Sequence, residues 1–405
     1  MDELSDPIED RKFEKGLMVF GAVISIGIGI AVSIYFICKV AQSHSIPNGT
    51  QPLILEHFGA FGDFIAGVAG TLFSLGGFFL LYLTLKDQRE NFYKERLENN
   101  FFEMLRFHRD NVNEIQFSYY ENHHEESIAE KRKVFKVIFD QYKEAWDELQ
   151  HFFPPNTDAI YNPVYLNHIQ SNKLIIERKI NLIQYARIDI VYSIIFFGLS
   201  KEDKQTILNL LSRKYNTDFI SNILDYASLK PTRSSNLWTA WEAIQQSSNN
   251  ANIIAGILEE SKQLGYDEVA RRFHTSTAYW SPDYNKYYGG HQFRLGHYYR
   301  HMYQMVNFID KQIYLTHDEK YGYLKIFRVQ LSNYEQIALF LNTISDLGRG
   351  WELEDKRDPK VPPKGDRRLI SRYNLITNIP TQYLITQINL LEYYPDVKYE
   401  AILIK

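Results

Sequence analysis

Two stretches near the start of the chain, residues 17–38 and 64–85, each run for 22 residues without a charged side chain. At about 1.5 Å of rise per residue, either one crosses a hydrocarbon core of roughly 30 Å. From residue 86 onward apolar positions recur every three or four residues, alternating runs are few, and Pro and Gly are widely spaced. The pattern predicts an all-α protein with an N-terminal two-helix transmembrane hairpin followed by a large helical cytoplasmic domain. The expected segments are a cytoplasmic tail (1–16), transmembrane helix 1 (17–40), an extracytoplasmic loop (41–63), transmembrane helix 2 (64–85), a stalk helix (86–126) and the helical domain (127–405).

Within the body, the second span continues without a breaker to about residue 117, with Phe92, Phe101, Leu105, Val112 and Ile115 on one stripe. An amphipathic helix follows over 131–153, stopped by Pro154-Pro155, and a long apolar one over 164–199. Its last part, 189–199, is too short to be a third span. Ser200, with Asp203 three residues on, predicts an N-cap for the helix carrying Ile207, Leu208, Leu210 and Leu211. Residues 231–252 are polar, with a short helix expected at Trp238 and Trp241, and suggest an internal boundary. An aromatic turn is expected over 279–290, helices over 293–312 and 320–345, a charged loop over 348–368 and a last helix over 379–392.

A cleaved signal peptide is the alternative for the first span, but it lacks a small-x-small cleavage site and a second span follows at once. Cys38 follows the bulky Ile37, which argues against a lipoprotein site. Arg11, Lys12 and Lys15 precede the first span, Lys86, Arg89, Lys94 and Arg96 follow the second, and residues 41–63 hold no Lys or Arg. The positive-inside rule then places both termini in the cytoplasm. The Asn48-Gly49-Thr50 sequon in the loop is read as chance. Small residues recur every four positions at Gly21, Ser25, Gly29 and Ser33 and at Ala66, Gly70 and Ser74, as helices that pack closely in lipid require. They serve the hairpin or a homo-oligomer. A channel would need several copies, because only Ser and Thr hydroxyls interrupt the spans.

Composition narrows the chemistry. Lys plus Arg number 45 against 49 for Asp plus Glu, which excludes a strongly basic nucleic-acid binder. The single cysteine excludes an intramolecular disulfide framework and a cysteine-rich zinc site. No cofactor motif is present: Gly348-Arg349-Gly350 lacks the Lys-Ser/Thr of a phosphate loop. The abundant Tyr and Phe read as an aromatic core, with base stacking as the alternative. Asp63 is placed to cap the second span, with ion coordination as the sharper alternative.

The densest candidate for chemistry is the run from Gln292 to His301. On a helix, Leu295, Tyr299, Met302, Val306 and Ile309 form a buried stripe, with Arg294, His297 and His301 on its flank. His297 and His301 have a metal-ligand spacing, but the glutamate of His-Glu-x-x-His is absent and no third ligand stands out, so no metal site is expected. Arg294 and His301 fit the loose Arg-x(4–6)-His spacing of HEPN-type ribonucleases, the histidine moving a 2′-hydroxyl proton and the arginine holding phosphate charge. Leu295 stands where that superfamily favours a polar residue. The favoured alternative is structural, with Arg300 paired to a carboxylate and the histidines satisfying helix ends.

Phe61-Gly62-Asp63-Phe64 with Gly67 opens the second span, followed by Phe73-Ser74, Leu83-Thr84-Leu85 and Gln88, then Phe101-Phe102, Leu105 and His108. Tyr298-Tyr299-Arg300-His301-Met302-Tyr303 and Leu331-Ser332 with Glu335 and Asn342 follow later. On these residues the chain resembles the bacterial putative phage abortive infection protein family, over about a third of its length. The segment 127–290 has no counterpart in that resemblance, and Gly70-Thr71-Leu72 stands where a proline often kinks the second span. The resemblance implies a membrane-anchored protein with a helical cytoplasmic part and a role in phage defence.

Three functions follow as expectations. The first is a non-enzymatic antiphage effector in the bacterial inner membrane that senses infection through its helical domain, self-associates and perturbs the bilayer. The second is a membrane-tethered ribonuclease centred on Arg294 and His301. The third is a non-toxic scaffold for defence partners. The expected partners are the membrane, a second copy of the chain, and a phage-derived trigger, a co-encoded defence protein or nucleic acid.

Overall fold

A computed structural model describes residues 7–42, 59, 62–122, 125–235, 238, 241, 287–353, 368–379, 385 and 387–400. Among the described residues the fold is all-α apart from one β-hairpin, and the chain divides into two units: 1–103 with 312–317, and 104–311 with 318–405. The division therefore falls at 103/104 rather than within the polar stretch 231–252. The expected sequon and most of the 231–252 loop, the 279–290 turn and the 348–368 loop lie outside the described residues. The helix expected over 379–392 is, among the described residues, only the short turn Leu390–Tyr393, which starts where Asn389 caps it.

In the first unit, α1 (Pro7–Gln42) lies antiparallel to the π-helical turn Ile65–Ala69 and the first part of α2 (Gly70–Glu114). Both helices are long and apolar enough to cross a membrane. Their outward side chains, among them Leu17, Phe20, Val23, Phe78, Leu81 and Leu85, are exposed. Contacts pair early with late positions: a Cβ on Gly29 would lie 3.0 Å from Phe73 and one on Gly21 3.3 Å from Phe79, and the Phe36 and Phe64 rings stack at 4.0 Å. The hydroxyls within the spans bond back to their own helix, Ser25 to the Gly21 carbonyl, Ser33 to Gly29 and Ser74 to Gly70. At the ends flanked by charge, Lys86 pairs with Glu14 (2.5 Å) and Lys15 with Asp87.

The small-residue stripe of α1 faces its partner, but the one expected on the second helix does not. Ala66 and Ser74 are exposed, and the packing face is Ala69, Gly76, Phe79 and Leu83. Large side chains of one helix fill the spaces opposite glycines of the other, so one helix needs no four-residue glycine repeat; the π turn, with one extra residue, also breaks that repeat. Asp63 lies exposed in the helical turn before the π segment, and no side-chain cap bond forms there.

The stalk helix ends at Glu114, not at 126. Residues Gln116–Asn122 (β1) and Glu125–Glu130 (β2) pair as an antiparallel hairpin, with Phe117 opposite Ala129 and Tyr119 opposite Ser127. Period-two aromatics override the helical pattern there, and the Phe117 and Tyr119 rings stack on one face at 6.2 Å. Of the expected stripe, Phe101, Val112 and Ile115 are buried while Phe92 is exposed.

In the second unit, α3 (Lys133–Leu149) buries the apolar face that its sequence predicts. The long helix expected over 164–199 is three: α4 (Pro163–Gln170), α5 (Lys173–Arg178) and α6 (Leu182–Phe197). Asn162, Asn172 and Asn181 each accept N-cap hydrogen bonds, worth about 1 kcal/mol apiece, and Lys179 takes a left-handed conformation between α5 and α6. α6 is buried almost all round and packs against α3, α7 (Lys201–Leu211), α9 (Gln292–Asp310) and α11 (Asn333–Ile344). Ser200 caps α7 through Asp203, as its sequence predicts. Helix α8 (Thr217–Ser228) follows α7. The helix expected over 320–345 divides into α10 (His317–Val329) and α11, because the Ser332/Glu335 capping box starts a new helix.

Candidate functional site

Helix α9 presents three faces. Leu295, Tyr298, Tyr299, Met302, Met305, Val306 and Ile309 are buried, extending the expected stripe. Arg294 and His301, seven residues apart, share a flank, and both are engaged by the backbone. Arg294 Nε donates to the Gln116 carbonyl at 2.9 Å, and its guanidinium lies over the rings of Phe117 (4.7 Å) and Phe293 (4.1 Å). His301 Nε2 donates to the Met104 carbonyl at 2.8 Å.

His291 precedes α9 and is buried; its Nε2–H donates to Gln141 Oε1 at 2.8 Å, leaving Nδ1 toward Arg294. Burial first, and the Arg294 charge second, push it down to about 3. His108 is also pushed down to about 3, by burial and then by His301 and Arg132, and neither ring nitrogen has a hydrogen-bond partner among the described residues. It packs beside the rings of Tyr298 (5.0 Å), Phe327 (5.4 Å) and His301 (6.3 Å). Glu335, fully buried, accepts from Tyr298 (3.1 Å), from the Ser332 hydroxyl (2.6 Å) and backbone N–H (2.8 Å), and pairs with Arg132 (3.4 Å). His108 and His301, drawn from separate stretches, thus meet beside Tyr298, whose hydroxyl links them to Glu335 and the Ser332 cap, with Leu331 buried next to that cap.

The third face is open. Phe293, Gly296, His297, Arg300 and Tyr303 line a cleft of about 780 Å³ opposite Leu347, Gly348, Gly350 and Trp351. His297 thus lines this cleft, whereas Arg294 and His301 do not. Arg300 is exposed and makes no hydrogen bond or ion pair among the described residues, so the expected carboxylate partner is absent there. The Tyr303 and Trp351 rings meet edge to face at 5.1 Å.

Backbone crossings hold the cleft walls. Leu199 N–H donates to the Tyr288 carbonyl and His291 N–H to Phe196, bringing Gly198 (φ +89°) against Gly289 and Gly290 (φ +80°) against Phe197. A Cβ at Gly290 would lie 2.2 Å from the Phe197 carbonyl oxygen, which only glycine permits. Below the other wall, Arg349 points inward. Asp189, fully buried on α6, accepts from Arg349 (2.9 Å), Tyr215 (2.7 Å), Lys214 (3.4 Å) and the Asp346 N–H (2.6 Å), and Arg349 also donates to Tyr165 (2.7 Å). Sequence reasoning missed this cluster, since its members lie up to 184 residues apart; Asp189 inside an apolar helical run is the one signal that could have raised it.

A second cleft, of about 870 Å³, lies between the hairpin and α3. There Glu144 is bonded to Lys230 (2.9 Å), Arg233 (3.1 Å) and Tyr287, and buried Lys230 also reaches Glu148 (2.5 Å). Burial works to raise the Glu144 carboxyl, but Lys230, Tyr287 and Arg233 outweigh it and hold it below the usual range. Among the described residues, no group of three or more His, Cys, Asp or Glu is placed to hold a metal ion.

Residues 290–355 match the family model described as putative phage abortive infection protein. No curated protein and no solved structure matches the chain. The matched segment covers α9, α10, α11 and the 3₁₀ turn Arg349–Trp351, and supplies every lining residue of the first cleft except Phe196, Phe197, Asp203 and Gly289. Over this segment the chain is similar to the putative phage abortive infection protein family.

Proposed function

We propose that the protein is an inner-membrane effector of abortive infection. The helical body responds to an infection trigger, self-association follows, and the two-helix anchors then perturb the bilayer and arrest the host. One observation carries this reading: a hairpin whose large apolar side chains face outward is joined to a body containing the abortive-infection segment. Basic residues at both cytoplasm-facing ends and none in 41–63 support internal termini. The trigger is a phage-derived molecule, a co-encoded defence protein or a nucleic acid.

The ribonuclease reading is less favoured. Arg294 and His301 each spend a donor on a backbone carbonyl, and neither lines the open cleft. Fractionation tests the anchor: the full chain stays with the membrane through high-salt and carbonate washes and leaves it only in detergent. Recovery as a freely soluble protein, or end tags reporting opposite faces, would remove the proposal. His301→Ala separates the enzymatic alternative, because a folded variant that loses RNA cleavage and toxicity together favours the ribonuclease.

A further inference from the structure

We propose that the cleft between α9 and the 347–351 turn binds a free nucleoside phosphate. Arg300 supplies an exposed guanidinium with no hydrogen bond or ion pair among the described residues, and His297 lies beside it, one helical turn back on the same face. Together they offer the charge and donors that a phosphate takes. Phe293, one turn further, is exposed at the rim, and the Arg294 guanidinium packs on its ring. With Phe197 and the Tyr303–Trp351 pair it provides flat apolar surface for a base.

The opposite side carries Asp203, whose Oδ2 accepts from Ser200; its other oxygen is the acceptor for a ribose hydroxyl or a base amino group. The volume of about 780 Å³ is within the range of small-ligand sites and suits a mononucleotide or dinucleotide rather than a folded nucleic acid. The floor of the second cleft is different, because Glu144, Lys230 and Arg233 already satisfy one another. The assignment names the chemistry of the trigger in the proposed function, and its test reads binding rather than toxicity, so either can fail alone.

Calorimetric titration of the full chain in detergent with the four ribonucleoside monophosphates, a dinucleotide, the parent nucleosides, inorganic phosphate and an oligoribonucleotide tests it. At least one nucleotide binds, while its nucleoside and inorganic phosphate each bind about tenfold or more weakly. Arg300→Gln weakens binding about tenfold or more and Phe293→Ala about fivefold, each with an unchanged melting temperature. The proposal is overturned if no nucleotide binds at millimolar concentration, if Arg300→Gln binds as the parent does, or if phosphate alone binds equally well. Tighter binding of the oligoribonucleotide than of any mononucleotide or dinucleotide also overturns it.

Discussion

Arg294 and Arg300 lie six residues apart on one helix, and their surroundings differ in kind. Arg294 is fastened to the hairpin by a carbonyl and two aromatic rings, whereas Arg300 faces a cleft with no partner among the described residues. A sequence motif built on residue type and spacing favoured the first, while the open chemistry sits with the second. The difference teaches that on a helix packed on two sides, only the third face is left for a ligand.

The largest effect should come from the fastened part of the molecule. Arg349→Ala leaves Asp189 buried with one cation fewer and no bond from the 348–351 turn, and should destabilise the body by about 3–5 kcal/mol. A denaturant melt of the purified chain checks this, and a loss under about 1 kcal/mol would show that the cluster is not a structural frame.

Acid should act next. His108 and His291 are both pushed down to about 3 in the folded body, against about 6.5 in an unfolded chain. The folded state therefore resists protonation that the unfolded state accepts. Stability is complete above about pH 6.5 and falls as pH drops toward 3, by an amount on the order of a few kcal/mol. Melting temperatures across this range should decline, and His108→Phe, which removes a buried ring whose nitrogens have no hydrogen-bond partner among the described residues, should flatten the decline. A pH-independent melting temperature would contradict the buried neutral state.

Smaller still is Arg294→Ala, which should lower stability by about 1–2 kcal/mol through the lost bond to Gln116 and ring packing. Arg300→Ala should be nearly silent, within about 0.5 kcal/mol, because the exposed side chain makes no hydrogen bond or ion pair among the described residues. Equal losses in the two variants would erase the contrast between the two sides of α9.

Much of the architecture was legible in the sequence. Charge-free runs marked the hairpin, the stripe from Leu295 to Ile309 marked the buried face of α9, and Ser200 with Asp203 marked a helix start. Three features escaped for physical reasons. Repeated Asn caps cut one apolar run into three helices, since a single side-chain acceptor can start a helix inside a continuous hydrophobic pattern. The aromatic hairpin at 116–130 was hidden because a short period-two run follows directly on a long helical one. The cleft depends on Asp203 and Phe197 meeting Arg300 and Trp351 across about 100 to 150 residues, a proximity that periodicity does not encode.

Membrane potential in cells expressing the full chain tests the central claim most directly. The account predicts that the potential collapses at the onset of growth arrest while total RNA remains intact. Arrest with the potential preserved would contradict it.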